Sequence, residues 1–395
     1  MAEEKEEGKK DKKINYLKEI EKKYGKGKLI TGTEYRLNTP IIASTGSFAL
    51  DIALGCGGIP EGRMLEYYGQ PSGGKSTLSL ISMVEVQKKG LKTAIVDLEK
   101  TFDRQWFENM GGNSELLLYT RPSSGAEALD IIEMLVKSNE VSLIVVDSVS
   151  AMLTSAEKEA EYEDATMAQL ARLLSSGLKK LNDAVGNSKC SVIWINQTRS
   201  GIGMYSPPVV TTGGNALKFY TSIRLMVSRG DVIGEADDPD GFLTKVKVEK
   251  NKCGPPKRIV VTNLYIGKNG KYGIDKDEEV IDVALFKGLI KRVKKEGDGY
   301  IESETGKSYQ YKDHVVMGKQ NFINSLLENK EIFEAIKNEI TQIFVEQDIP
   351  EEGSYNDEVN QEIIEQKFIE EVKKERKTRK SKIKEEDEET KQEES

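Results

Sequence analysis

Histidine is almost missing from this chain of 395 residues: His314 stands alone. That excludes mechanisms built on a histidine pair or on imidazoles around a metal. The three cysteines, Cys56, Cys190 and Cys253, lie far apart with no paired spacing. A zinc ribbon and a disulfide framework are both disfavoured, and a reducing cytoplasm fits. No apolar run approaches the ~18 residues of a membrane-spanning helix. The opening MAEEKEEGKKDKK has no apolar centre of the kind a secretion signal needs, so the chain is expected in the cytoplasm.

Charge is plentiful. Charged residues make up 31% and hydrophobic residues 37%, more polar than an average globular domain, so part of the chain is expected to stay unfolded. The net charge of -8 sits wholly in the last 50 residues, which hold 18 acidic and 10 basic side chains. Within them VKKERKTRKSKIK is a basic block and EEDEETKQEES an acidic one. Segregated blocks of this kind read as a solvated interaction tail, with a purely solubilising tail as the alternative.

The length suits two domains, or one large domain with additions. Residues 1–13 form a charged leader, and residues 14–24 place Leu17, Ile20 and Tyr24 on one helical face. From residue 41 to about 275, short apolar runs (RMLEYYG, KTAIVD, LLLYT, SLIVVD, CSVIWIN) recur with helical segments between some of them. That pattern predicts a parallel sheet covered on both faces. The later runs TSIRLMVS, TKVKVEKN and RIVVTNLYIG alternate at period two and predict an antiparallel extension. Residues 276–345 change texture. EVIDVALFKGLIKRV and NFINSLLENKEIFEAIKNEITQIF read as helices of a small second α/β domain, and 346–395 as the tail.

One motif carries chemistry outright. Gly69, Gln70, Pro71, Ser72, Gly73, Gly74, Lys75, Ser76 and Thr77 spell G-x-x-x-x-G-K-[ST] between a strand and a helix, the context of a phosphate-binding loop. The glycines let backbone N–H groups turn toward anionic oxygens. Lys75 is placed to reach β- and γ-phosphates and Ser76 to hold Mg²⁺. A second strand ends in Asp147, a carboxylate suited to the same ion. A third leads into Glu99, a base to orient an attacking water; a solvated loop acid is the alternative. A fourth ends in Asn196 and Gln197, amides suited to sensing a γ-phosphate, and runs into a long Gly/Ser/Pro/Thr-rich loop.

With these residues in hand, the chain resembles the bacterial RecA recombinase family, phage-encoded members included. The resemblance runs over about residues 14–345, on YGKG, STGSFALDIALGCGGIPEGRMLEYYGQPSGGKST, VDLEKTFD, LIVVDSVSAM, INQTRSGIG, TTGGNALKFY and VEKNK. It implies a RecA-type α/β ATPase core with a mostly parallel twisted sheet, a short N-terminal oligomerisation helix, a small C-terminal domain and a charged tail. The implied activity is DNA-stimulated ATP hydrolysis, with ATP and Mg²⁺, coupled to strand exchange in recombination, repair and the SOS response. The implied partners are single-stranded DNA, double-stranded DNA, further copies in a helical filament, and single-strand-binding and mediator proteins, with no membrane. By the same resemblance Glu99 is the catalytic glutamate and Asp147 the second nucleotide-site acid. Asp103, Trp106 and Tyr265 lie beside adenine, and Gln197 couples the γ-phosphate to the DNA loops. Lys250 and Lys252 reach a neighbour's ATP, and Phe219 passes the signal between subunits.

Two segments match the family's DNA-binding loops. The first covers residues 157–167, ending at Met167, with Arg172 and Lys179 on the helix that follows. The second covers residues 199–214, from Arg199 through Ile202 and Thr212 to Gly213 and Gly214, with Asn215 at its base. Glycine would bring backbone amides close to phosphates, the cations would supply charge, and Ile202 would wedge between bases. The first loop departs from the family in being acidic (AEKEAEYEDAT), and the second carries PPVV and is one residue shorter. Other classes compatible with a P-loop are a ring helicase, a clock-type ATPase or a non-catalytic DNA-binding module. The joint presence of Lys75, Ser76, Glu99 and Asp147 argues against the last.

Overall fold

The computed structural model describes residues 19, 20, 22, 23, 40–152, 167–200, 209–297, 299–303 and 305–346. The leader, most of the N-terminal helix, the first DNA-loop segment up to residue 166, residues 201–208 with Ile202, and the tail from 347 lie outside them. Of the first helix, Glu19, Ile20, Lys22 and Lys23 are helical.

The described residues from 40 to 346 belong to one compact unit. β1 (Ile41–Ala43) leads to α1 (Phe48–Leu54). This short helix starts where Ser47 Oγ accepts from Leu50 N at 3.1 Å and stops at Gly55, whose φ of 68° is left-handed. Cap bonds of this kind are worth ~1 kcal/mol each. β2 (Ile59–Pro60), β3 (Met64–Gly69), α2 (Lys75–Gln87), β4 (Lys92–Asp97), α3 (Arg104–Asn109), β5 (Leu117–Thr120), α4 (Gly125–Ser138), β6 (Val141–Asp147), α5 (Met167–Gly186) and β7 (Ser191–Ser200) follow. Then come β8 (Val209–Thr211), α6 (Ala216–Tyr220), β9 (Ile223–Gly234), β10 (Pro239–Asn251), β11 (Ile259–Ile266) and β12 (Tyr272–Gly273).

The large sheet has the order β12-β11-β10-β9-β3-β7-β6-β4-β5, with β8 paired to β7 outside that path. β3, β4, β5, β6, β7 and β9 run parallel, whereas β10, β11 and β12 continue antiparallel. The antiparallel extension therefore begins one strand later than its period-two pattern suggests: β9 is itself parallel to β3, because α6 and its flanks carry the chain across before it enters. Strand alternation divides the core. Leu65, Tyr67, Ile193, Ile195, Ile223 and Leu225 face one cluster with α1 and α2. Met64, Ala94, Val146, Val192 and Trp194 face the other, with α4 and α5.

Residues 276–346 form α7 (Lys276–Phe286), β13 (Lys291–Glu296), β14 (Gly299–Glu302), β15 (Ser308–Tyr311), β16 (His314–Met317), α8 (Lys319–Glu328) and α9 (Lys330–Glu346). The four strands make a separate antiparallel sheet, β14-β13-β15-β16. Two helix readings are corrected here. EVIDVALFKGLIKRV is helical only to Phe286. Lys287 caps it, Gly288 turns with φ 71°, and Lys291–Glu296 is a strand paired on both sides despite its helical spacing. NFINSLLENKEIFEAIKNEITQIF is two helices, broken at Asn329, whose φ/ψ of -108°/77° is not helical. The apolar cluster of this region takes in Phe322, Ile336 and Ile340, and also Ala49 of α1.

Candidate nucleotide site and DNA-facing hairpin

The P-loop is built by close approach. A Cβ on Gly69 (φ 155°) would stand 1.9 Å from Val227 O, and one on Gly74 (φ 95°) 2.5 Å from Leu264 Cδ1. Side chains there would fill the turn, so β3 can enter α2 only over glycine. The turn delivers the N-terminus of the 13-residue α2, where unpaired N–H groups favour an anion. Lys75 is buried, and its Nζ donates to Gln70 O at 2.7 Å. Burial holds its pKa below the usual lysine range, against the pull of Asp147 and Glu99.

Asp147 ends β6, is 8% exposed and is hydrogen-bonded by Ser76. Burial pushes its carboxyl up to about 6; the Ser76 bond works against this, Glu99 and Asp97 with it, and Lys75 against it. A cation would displace the proton readily from a carboxyl of that kind, the proton leaving to water. Among the described residues no group of three or more His, Cys, Asp or Glu side chains is placed to hold a metal ion by itself. The Ser76–Asp147 pair thus fits Mg²⁺, which keeps waters and phosphate oxygens as its other ligands, rather than an all-protein cage.

Glu99 is half-buried and held from two sides. Gln197 Nε2 donates to Glu99 Oε1 at 3.0 Å, and Ser148 Oγ donates to the same oxygen. The structure thus brings Lys75, Ser76, Asp147, Glu99 and Gln197 to one sheet edge, at the C-terminal ends of β3, β4, β6 and β7. Two residues that the sequence reading passed over support them. Ser148 follows Asp147 directly. Asp97, 1% exposed, accepts from Thr101 N (3.3 Å), Phe102 N (3.2 Å) and Tyr119 Oη (2.9 Å), which fixes the loop that carries Glu99. A buried acid at the end of an apolar strand was the available signal for Asp97.

The three adenine-side candidates have structural partners of their own. Asp103 caps α3, accepting from Trp106 N at 3.0 Å. Trp106 lies half-buried with its ring edge-on to Tyr272, centroids 5.5 Å apart. Tyr265 is 6% exposed, and its hydroxyl donates to Glu278 of α7 at 2.6 Å.

Lys250 lies at the end of β10, and Lys252 follows its last residue, Asn251. Lys250 Nζ donates to Lys218 O (2.6 Å) and Phe219 O (3.2 Å) in α6, so its bonds go to that helix and not to this chain's phosphate-binding turn. Burial first, then Lys252 and Arg224, push its pKa to about 8, with Glu66 acting the other way. Lys252 is exposed, its backbone N–H donating to Ser222 O at 2.9 Å. Phe219 beside them is 72% exposed.

The second DNA-loop segment rises as a hairpin. Thr198, Arg199 and Ser200 of β7 pair with Thr211, Val210 and Val209 of β8. At its foot Gly213 (φ 83°) and Gly214 (φ 75°) press on α5, where a Cβ would meet Leu174 Cδ1 at 2.3 Å and Ala171 Cβ at 3.1 Å. Besides freeing their amides, these glycines let the loop lie down on a helix. Asn215 is exposed and precedes α6. Arg172 and Lys179, seven residues apart on α5, are both exposed on one side of it. Met167 begins that helix.

A family model described as the RecA N-terminal domain matches residues 12–271. Protein RecA of Leptospira biflexa is 40% identical over 330 residues, covering 83% of this chain and 81% of that one. Protein RecA of Pseudomonas putida is 41% identical over 327 residues, covering 82% and 87%. Among solved structures, the crystal structure of the RadB recombinase aligns with 25% identity and a TM-score of 0.42 over 56% of this chain and 96% of that chain, too low a score to add to the sequence match.

Proposed function

The chain belongs to the bacterial RecA recombinase family, and from that membership we propose a DNA-dependent ATPase that assembles on single-stranded DNA and exchanges strands with homologous duplex in recombination and repair. The hydrogen bond from Gln197 to Glu99 carries this reading. It joins the candidate water-orienting base to an amide on the strand that becomes the DNA-facing hairpin. Backbone N–H groups of the turn and Lys75 would bind the phosphate oxygens, and Ser76 with Asp147 would hold Mg²⁺, which draws charge off those oxygens. Glu99 accepts the proton of the attacking water, and Gln197 holds its carboxylate in place while reporting its state to β7.

Asp103, Trp106 and Tyr265 line the base side in this reading, and Lys250 and Lys252 serve the ATP of an adjoining copy. Met167, Arg172, Lys179, Arg199, Ile202, Thr212, Gly213, Gly214 and Asn215 face DNA. Residues 1–40, 41–275, 276–345 and 346–395 act as oligomerisation segment, ATPase core, small domain and tail. Among the described residues no helix is long and apolar enough to cross a membrane. Electron microscopy of the full chain with single-stranded DNA and a non-hydrolysable ATP analogue is the test. Extended right-handed filaments are expected; closed rings, or no assembly, would overturn the reading.

A further inference from the structure

An ion pair lies inside the apolar sheet, between residues to which no role has been given above. Glu66 of β3 is 0% exposed, and Arg224, opposite it on β9, is 8% exposed. Arg224 Nε donates to Glu66 Oε2 at 2.6 Å, and the guanidinium lies 4.4 Å from the centre of the Tyr68 ring. Glu66 Oε1 accepts from Nδ2 of Asn196, itself 0% exposed, at 3.0 Å. Burying two charges is costly even when they are paired, and an apolar pair of similar volume often serves stability as well or better. The pair therefore calls for a reason other than cohesion.

The Asn196 carboxamide supplies one. Its Nδ2 also donates to Thr212 O at 3.1 Å, and its Oδ1 accepts from Gln197 N at 2.9 Å. Rotating the amide would set its oxygen against the Glu66 carboxylate, so Glu66 fixes which way it points. On the other flank Arg224 lies opposite Lys250 in the β9–β10 register, and Lys250 holds the carbonyls of Lys218 and Phe219. The segment from Thr212 to Phe219 is thus pinned at one end by Asn196, which is bonded to Glu66, and at the other by Lys250, which lies opposite Glu66's partner Arg224. Without that charge, Arg224 and Lys250 face each other as two cations.

We propose that Glu66 and Arg224 are positioning residues: they orient Asn196 and steady Lys250, and so fix the foot of the β7–β8 hairpin and α6 as one unit beside the nucleotide edge. The proposal rests on the reading of that hairpin as a DNA-binding loop. The test uses the full chain with two variants, Glu66→Leu/Arg224→Met, an apolar pair, and Glu66→Gln, which keeps an acceptor for Asn196. The double variant should melt at or above the wild-type temperature. Its amides over 212–219 should nonetheless exchange roughly ten-fold faster, and its DNA-stimulated turnover should fall by a similar factor. Nucleotide affinity without DNA should stay within about two-fold, and Glu66→Gln should lie between.

A double variant that keeps wild-type exchange over 212–219 and wild-type DNA stimulation would make the pair mere packing and overturn the proposal. Should that variant not fold, unchanged exchange in Glu66→Gln overturns it equally. If wild-type turnover proves indifferent to DNA, the recombinase reading fails, and amide exchange alone then decides whether the pair positions this segment.

Discussion

Lys75 and Lys250 are two lysines pushed below their ordinary pKa by burial, in opposite company. Lys75 sits among carboxylates, Asp147 and Glu99, which restore part of its affinity for a proton. Lys250 sits with Lys252 and Arg224, cations that deepen the loss and leave it at about 8, with Glu66 as the opposing charge. The first site is close to balanced within the chain and can bind an anion together with a metal ion. The second is a cationic face bonded to the end of α6, and an anion brought from outside would relieve its repulsion. In the function proposed above, the first region is a pocket complete within one chain and the second is half of a site shared between copies.

The contrast can be broken at either lysine. Lys75→Ala should reduce ATP hydrolysis to background in a phosphate-release assay, because it removes the point charge from the completed pocket. Near-normal turnover would remove the P-loop from the mechanism. Glu99→Gln should slow hydrolysis by ~10²–10⁴-fold while ATP still binds, since shape persists and basicity is lost; equilibrium binding measured beside single-turnover rates checks both halves. Lys250→Ala with Lys252→Ala should cost on the order of 10²-fold in DNA-stimulated turnover. Mixing that variant with Lys75→Ala should restore some activity from composite sites, and mixed filaments with none would contradict a shared site.

The pH dependence sharpens the same comparison. Lys250 is charged below about 8 and neutral above it in the free chain. At limiting ATP, DNA-stimulated turnover should therefore decline as pH rises through that value, and ATP-dependent assembly at pH 8.5 should take up protons, read from the buffer dependence of its heat. Assembly without proton uptake would place the anion elsewhere. The smallest effect is expected at the hairpin's foot. Gly213→Ala puts a methyl group against Leu174 at a left-handed φ and should cost ~1–3 kcal/mol of stability. Thermal melting would show it, with DNA-free nucleotide binding unchanged.

The pocket was legible in the sequence because its parts are local. Residues 69–77 fix their own backbone, and Asp147 and Glu99 follow directly from apolar strands. The half-site's wiring was not legible. Glu66 and Arg224 are 158 positions apart, each a single charge inside an apolar run, and only the β3–β9 register makes them partners. Asp103 and Tyr265 matched a pattern; the Asp103 cap is local, three residues from Trp106, but the Tyr265 bond to Glu278 depends on a tertiary neighbour. The helix over Glu279–Val293 failed at Gly288, where a left-handed turn outweighed side-chain spacing that continues past it.

β7 belongs to two structures at once: up to Gln197 it lies between β6 and β3, and from Thr198 it is one arm of a hairpin. At ~3.3 Å per residue the paired arm carries the chain about 10 Å past the sheet. Because strand side chains alternate, Asn196 and Gln197 serve opposite faces by parity alone. A single-residue insertion or deletion between Trp194 and Thr198 would exchange their duties, leaving an amide turned from Glu66 and another turned from Glu99. Lengthening or shortening the tip beyond Ser200 leaves that parity untouched. The fold thus has a frame-sensitive stretch of a few residues next to a frame-tolerant one, and variation in loop length among relatives should stop abruptly at that border.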